Sequence, residues 1–160
     1  MTNTNTNTSS LHIRLELVWW LITAIVAIVV LFPIYQSLSN YPFYAPNLIF
    51  IVAFITCTRY AFLLRYTFLA PLQMLKIAIV LLLIPAIFLL VQEINLFQVF
   101  LDEEGLDALV GELPFSQRDR MAGYIRTEMI FFGTGACIAA VVLAFRLILS
   151  VWLLRNRGRA

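Results

Sequence analysis

The side chains able to do acid–base or ionic chemistry are few in this chain, and the most informative ones sit in or beside long apolar runs. Arg59 and Arg146 stand within such runs, and Glu93 and Glu128 stand at their edges. An ionisable group in hydrocarbon is a functional candidate by default, because its charge is costly there. The plain reading of both arginines is that their long side chains snorkel toward lipid headgroups. The sharper reading joins Arg59, Arg65, Lys76 and Arg146 into a basic cluster that holds an anionic lipid headgroup, with Glu16 able to neutralise one member. For the acids, the plain reading is a Glu93–Arg126 pair that ties a loop to the spans, and the alternative is a proton or cation entry site. A route lined by Arg59, Arg146, Glu93 and Glu128 would make a small oligomeric transporter or channel. Against it, the span interiors offer mostly hydroxyls, such as Thr23, Thr56, Thr58, Thr134 and Ser150, and no Asp, Glu or His from which to build a relay.

Nucleophilic and metal chemistry find even less support. The single histidine, His12, lies before the first apolar run, which rules out a bis-histidine haem within the chain. Cys57 and Cys137 lie inside apolar segments without a His partner or a CxxC spacing. No Gly-rich phosphate loop, H-E-x-x-H or G-x-S-x-G occurs. The expectation is therefore a protein that is not an enzyme, with no cofactor and no metal.

These residues must be positioned by elements that the composition already constrains. Of 160 residues, 62% are hydrophobic and 12% charged, with a mean hydropathy of +0.91. Soluble domains run nearer 45–50% apolar and about 25% charged. Membrane burial resolves the excess. A net charge of +2 gives no reason to expect nucleic acid as a partner. Residues 1–10, MTNTNTNTSS, are a polar low-complexity tail expected to be disordered. Four apolar runs follow, at about 17–35, 48–64, 72–91 and 129–149, inside a membrane domain spanning 11–154. Roughly 20 apolar residues cross a hydrocarbon core as a helix. Helices are required because each backbone donor and acceptor there needs an internal partner, and the runs lack the alternation of a barrel strand. The first run is longer than the apolar core of a cleaved leader, although Ser37-Leu38-Ser39 would pass as a cleavage site. Pro33 and Pro85 fall inside runs and should kink them.

Charge asymmetry sets the orientation. With the N-terminus inside, the cytoplasmic side carries eight cations and one acid, Glu16; the opposite side carries three cations and eight acids. Lys and Arg in short loops decide topology. Both ends are expected to be cytoplasmic, including a basic tail at 155–160. Trp19, Trp20 and Trp152 near the inner edges, and Tyr35, Tyr41 and Tyr44 near the outer one, suit the headgroup level.

The third loop, 92–128, is the most distinctive stretch. Leu106, Leu109, Val110 and Leu113 recur at the spacing of one helical face, and Asp102, Glu103, Glu104 and Asp107 precede or flank them. Acids near a helix start suit the macrodipole, so Asp102 to Glu104 are expected to open a short amphipathic helix that Pro114 stops. Ser116 and Asp119 resemble a capping box, starting a helix that runs into the fourth span. The loop helix either covers the bundle as a solvated lid or docks a periplasmic or membrane partner through Asp102, Glu103, Glu104, Asp107, Leu106, Leu109 and Leu113. In the fourth span, Gly133, Gly135, Ala136, Ala139 and Ala140 form small-xxx-small pairs that let another helix approach closely.

Three stretches, YPFYAPNLIFIVAFITCTRYAFLL, QEINLFQVFLDEEGL and IRTEMIFFGTGACIAA with FRLILSVWLLRNRG, resemble small four-span proteins of Bacteroidota that carry no assigned function. That likeness implies a bacterial inner membrane and carries over no functional residue. The expected architecture is an all-α, integral-membrane four-helix bundle with a short amphipathic helix in the periplasmic third loop. The expected function is a non-catalytic subunit or scaffold of an inner-membrane complex, in contact with membrane lipids and with a protein partner or further copies of itself. A transporter or channel is the alternative, and a lipid- or quinone-interacting protein a second one.

Overall fold

Apolar runs that must satisfy their own backbone become helices, and the computed structural model, which describes residues 3–64, 67, 69 and 72–157, is made of helices and short connections, with no strand among the described residues. The elements are α1 (Asn3–Ser37), α2 (Tyr44–Leu63), α3 (Gln73–Glu103), the one-turn α4 (Asp107–Val110) and α5 (Phe115–Arg157). Four of them, α1, α2, α3 and α5, are long and apolar enough to cross a membrane. All but α4 extend beyond or fill the expected apolar runs. Residues 3–10, expected as a disordered tail, continue α1 as its first turns. Helix propagation adds one hydrogen bond per residue once a turn exists, so the apolar segment beyond can carry its polar leader. At 43 residues, α5 is roughly 64 Å long, about twice a hydrocarbon core.

Packing centres on α5. The extensive interfaces are α2 with α5, α3 with α5, and α1 with α2, and α4 lies on α5. No comparable interface joins α1 to α3 or α2 to α3, so the helices do not close evenly as the expected four-helix bundle would. The reason is in the small residues of α5. Gly133, Ala136, Ala139 and Ala140 are buried, and a Cβ added at Gly133 would meet Ile94 of α3 at 2.9 Å. One added at Gly135 would meet the Phe54 ring of α2 at 2.9 Å. The stripe thus admits α2 and α3 of the same chain onto one helix.

Two apolar clusters follow. Towards the loops, Ile34, Phe50, Phe97, Val110, Ile125 and Met129 draw on all five helices. Towards the chain ends, Cys57, Ala61, Ala140, Leu143 and Leu147 unite α2 and α5, with Ile79 and Leu83 of α3 packed against them. These ends are called here the loop end and the terminal end. Helix α1 contributes no buried residue to the second cluster.

The third loop departs from its expected form. Asp102 and Glu103 do not open a helix; they finish α3, and Glu104 caps it. The apolar strip of Phe97, Phe100 and Leu101 keeps α3 going past the apolar layer. Gly105 then ends it at φ 77°, a left-handed position that suits glycine, with its N–H donated to the Phe100 carbonyl at 3.3 Å. Only Asp107–Val110 forms the expected loop helix. Helix α5 starts at Phe115, directly after Pro114, and runs unbroken into the fourth span.

Candidate functional site

Among the described residues, polar side chains within the spans meet in three places. At the terminal end, α2 turns Arg59 toward α1, where its Nη2 lies 2.7 Å from Glu16 Oε1. The side chains are 7% and 17% exposed, so the pair is largely removed from solvent. Tyr60 donates its hydroxyl to the other Glu16 oxygen at 3.2 Å. The Arg59 guanidinium also lies 5.4 Å from the Trp19 ring centre and 5.1 Å from that of Tyr60, within cation–π range. Glu16 thus takes up the charge of one arginine, and the arginine holds α1 against α2.

On the other side of α5, Lys76 is 1% exposed and donates to Ser150 Oγ at 3.0 Å. Arg146, one turn before Ser150, is exposed. Arg65, the fourth member of the expected basic cluster, lies outside the described residues, as does Arg159 of the basic tail. Of its described members, Arg59 faces α1, Lys76 faces α5, and Arg146 is exposed.

The third meeting is at the loop end. Glu128 is 6% exposed and accepts a hydrogen bond from Asn47 Nδ2 at 2.5 Å. Tyr41, in the α1–α2 connection, is buried against both. Its hydroxyl completes no hydrogen bond, and neither do Glu128 Oε1 and Asn47 Oδ1. Burial, then the neighbouring Glu128, push the Tyr41 hydroxyl well above its ordinary pKa. Tyr124, one turn before Glu128, donates to the Val30 carbonyl of α1 at 2.8 Å.

The Glu93–Arg126 pair expected from sequence does not form. Arg126 is exposed, Glu93 is half-buried, and the Arg59–Glu16 contact is the ion pair recorded among the described residues. No protein-family model, curated protein or solved structure matches this chain. Its chemistry must be argued from its own residues.

Asn47 is the residue that sequence reading missed. A primary amide in the otherwise apolar stretch Leu48–Phe54 and its approach was a readable signal, since such a group seeks a partner in hydrocarbon. The partner, 81 residues away, was not readable.

The acids of the third loop stand exposed: Asp102, Glu103, Glu104 and Asp107 all face solvent. The leucines paired with them as a docking surface do not. Leu113 is buried, and Leu106 and Leu109 pack on the core. Burying that apolar face on the chain's own helices leaves the acids exposed, with Arg126 lining a polar pocket beside Asp102. Arg118 fastens the turn, donating to the Leu113 carbonyl at 2.7 Å and to that of Gly111 at 2.6 Å. Cys57 and Cys137 are free thiols, and no group of metal-ligating side chains assembles among the described residues. Between α3 and α5 at the terminal end, an apolar crevice of about 290 Å³ is lined by Ile77, Leu81, Ile148 and Trp152, with Arg155 at its rim.

Proposed function

We infer that the chain is a non-catalytic, multi-pass subunit or scaffold of a bacterial inner-membrane complex, with both termini cytoplasmic and the third loop periplasmic. What carries this reading is the use of Arg59 inside the chain: its charge is matched by Glu16 and its face by Trp19 and Tyr60. An arginine so engaged neither lines a polar cavity nor awaits a substrate. The layer between that pair and Glu128 supports the same reading, since it holds Phe54, Cys57, Ala136, Ala139 and Ala140, none of which passes an ion or a proton. Among the described residues, the polar groups at the two ends are separated by that apolar layer, which weighs against the alternative of an oligomeric transporter or channel.

The surface fits assembly. Helices α1 and α3 turn large apolar side chains outward along their length, among them Ile28, Phe32, Leu82 and Phe88, which neighbouring helices or lipid tails would cover. Beyond the apolar layer, Asp102, Glu103, Glu104 and Asp107 form an exposed acidic rim for a basic partner surface. The crevice rimmed by Arg155 supports a second reading, a site for the acyl chain of an anionic lipid at the inner leaflet.

Reconstitution separates a scaffold from a transporter. Vesicles containing the purified chain should hold proton, sodium and potassium gradients as long as protein-free vesicles do. A saturable leak that disappears in Glu128→Gln or Arg59→Met would contradict the scaffold and favour transport.

A further inference from the structure

Glu128 is the buried acid that the scaffold reading leaves unused. Helix α2 brings Asn47 to it, the α1–α2 connection lays Tyr41 over it, and its own helix adds Tyr124. The remaining elements at this end bring apolar groups: Ile34 from α1, Phe97 from α3 and Val110 from α4. No cation lies within ion-pair distance of Glu128 among the described residues. As a carboxylate it would hold a buried charge with one donated hydrogen bond, a state that burial strongly disfavours.

The polar inventory points the same way. Glu128 Oε1 and Asn47 Oδ1 are buried acceptors with no donor, and the Tyr41 hydroxyl is the one unengaged donor beside them. Buried acceptors without a partner thus outnumber the donors by two to one in this cluster. A proton on Glu128 supplies the second donor and leaves no charge behind. A metal ion fits less well. Hard divalent cations take about six or more oxygens, whereas this cluster offers three unengaged ones, and the Asn47 amide nitrogen already donates to the carboxyl.

We propose that Glu128 is a proton-binding site at the loop end, a carboxylic acid at neutral pH whose proton exchanges with the side that the loops face. Exchange is one-sided because the apolar layer from Phe54 to Ala140 separates it from the terminal end. The step is a plain dissociation: the Glu128 O–H bond breaks, the proton passes to water when the Tyr41 segment opens, and the carboxylate remains. Ionised Glu128 strands a charge beneath the Tyr41 segment, so raising the pH loosens the α1–α2 connection at this end. The site therefore couples acidity on one side of the membrane to the shape of the loop surface. It stands whether or not that surface docks a partner.

The test uses the full chain in mild detergent and infrared spectroscopy at neutral pH. A protonated-carboxyl C=O stretch there reports a carboxylic acid, and the Glu128 variant assigns it. Wild type should show that band, slow to shift in heavy water, and Glu128→Gln should lose it while staying folded, because glutamine keeps the Asn47 bond and is neutral. Tyr41→Phe should retain the band at a changed frequency. The thermal midpoint of wild type should fall as pH rises from the ordinary carboxylate range through neutral and then level off, the sign expected of a group protonated in the fold, while Glu128→Gln lacks that fall. Loss of a carboxylate band instead of a C=O band in Glu128→Gln would overturn the proposal. So would removal of the wild-type band by sodium at constant pH, which would make the site a cation site. If Glu128→Gln does not fold, Tyr41→Phe decides: a band unmoved by that change does not belong to this cluster.

Discussion

Arg59 on α2 and Glu16 on α1 meet at 2.7 Å with little solvent around them, and no other ion pair joins α1 to its neighbours among the described residues. Because α1 contributes no described buried residue to the apolar cluster at this end, the pair and its aromatic flank hold α1 at the terminal end. Removing Glu16 leaves a buried guanidinium unmatched, at a cost of about 3–5 kcal/mol. Glu16→Gln should lower the midpoint of thermal unfolding in detergent sharply. The double change Glu16→Leu with Arg59→Met should recover much of that loss. A single variant as stable as wild type would show that α1 is held by other contacts.

The small residues of α5 serve packing within the chain. Gly135→Leu forces a side chain into the Phe54 ring, and Gly133→Leu forces one into Ile94. Overpacking of this kind costs about 1–3 kcal/mol. Each variant should lower the folded fraction measured by size exclusion and melting, with no selective loss of a larger assembly. A variant with unchanged melting but altered oligomer size would instead place the stripe at an interface between copies.

How far the sequence carried differs between these features. Four spans were legible because hydrocarbon admits little besides helices, and apolar runs of this length have few other uses. The stripe of small residues was legible as a packing face, but its neighbours were not, since closeness to α2 or α3 depends on the fold. Asp102, Glu103 and Glu104 were assigned to the wrong helix end. Their acidity suggested an N-terminus, yet the apolar positions just before them continued α3, which outweighed an unfavourable macrodipole contact worth only tenths of a kcal/mol to about 1 kcal/mol. The Asn47–Glu128 contact joins single residues from distant segments and leaves no periodic trace.

Gly105 turns the chain at the end of α3 with φ 77°, and open space surrounds its Cα. Gly105→Ala therefore meets no neighbour and is strained by backbone conformation alone, at about 1–2 kcal/mol. Hydrogen exchange should quicken at Gly105 to Val110 and stay unchanged in α2. Unchanged protection across the loop would mean that the turn tolerates a side chain.

The orientation inferred from the basic residues can be read with an impermeant thiol reagent. Ser116→Cys, exposed before the start of the fourth span, should label from the periplasmic side of intact cells. Asn156→Cys should label only after the inner membrane is opened, and buried Cys57 should stay unlabelled in both cases. Labelling of Asn156→Cys in intact cells would reverse the topology.

The most direct test of the scaffold reading is recovery of the tagged full chain from its native membrane in mild detergent, with the bound proteins quantified by mass spectrometry. The account predicts a stoichiometric membrane partner that is lost when Asp102→Asn, Glu103→Gln, Glu104→Gln and Asp107→Asn are combined, while the melting of the chain itself is unchanged. Recovery of the chain without a partner, as a monomer or as a discrete homo-oligomer, would contradict it.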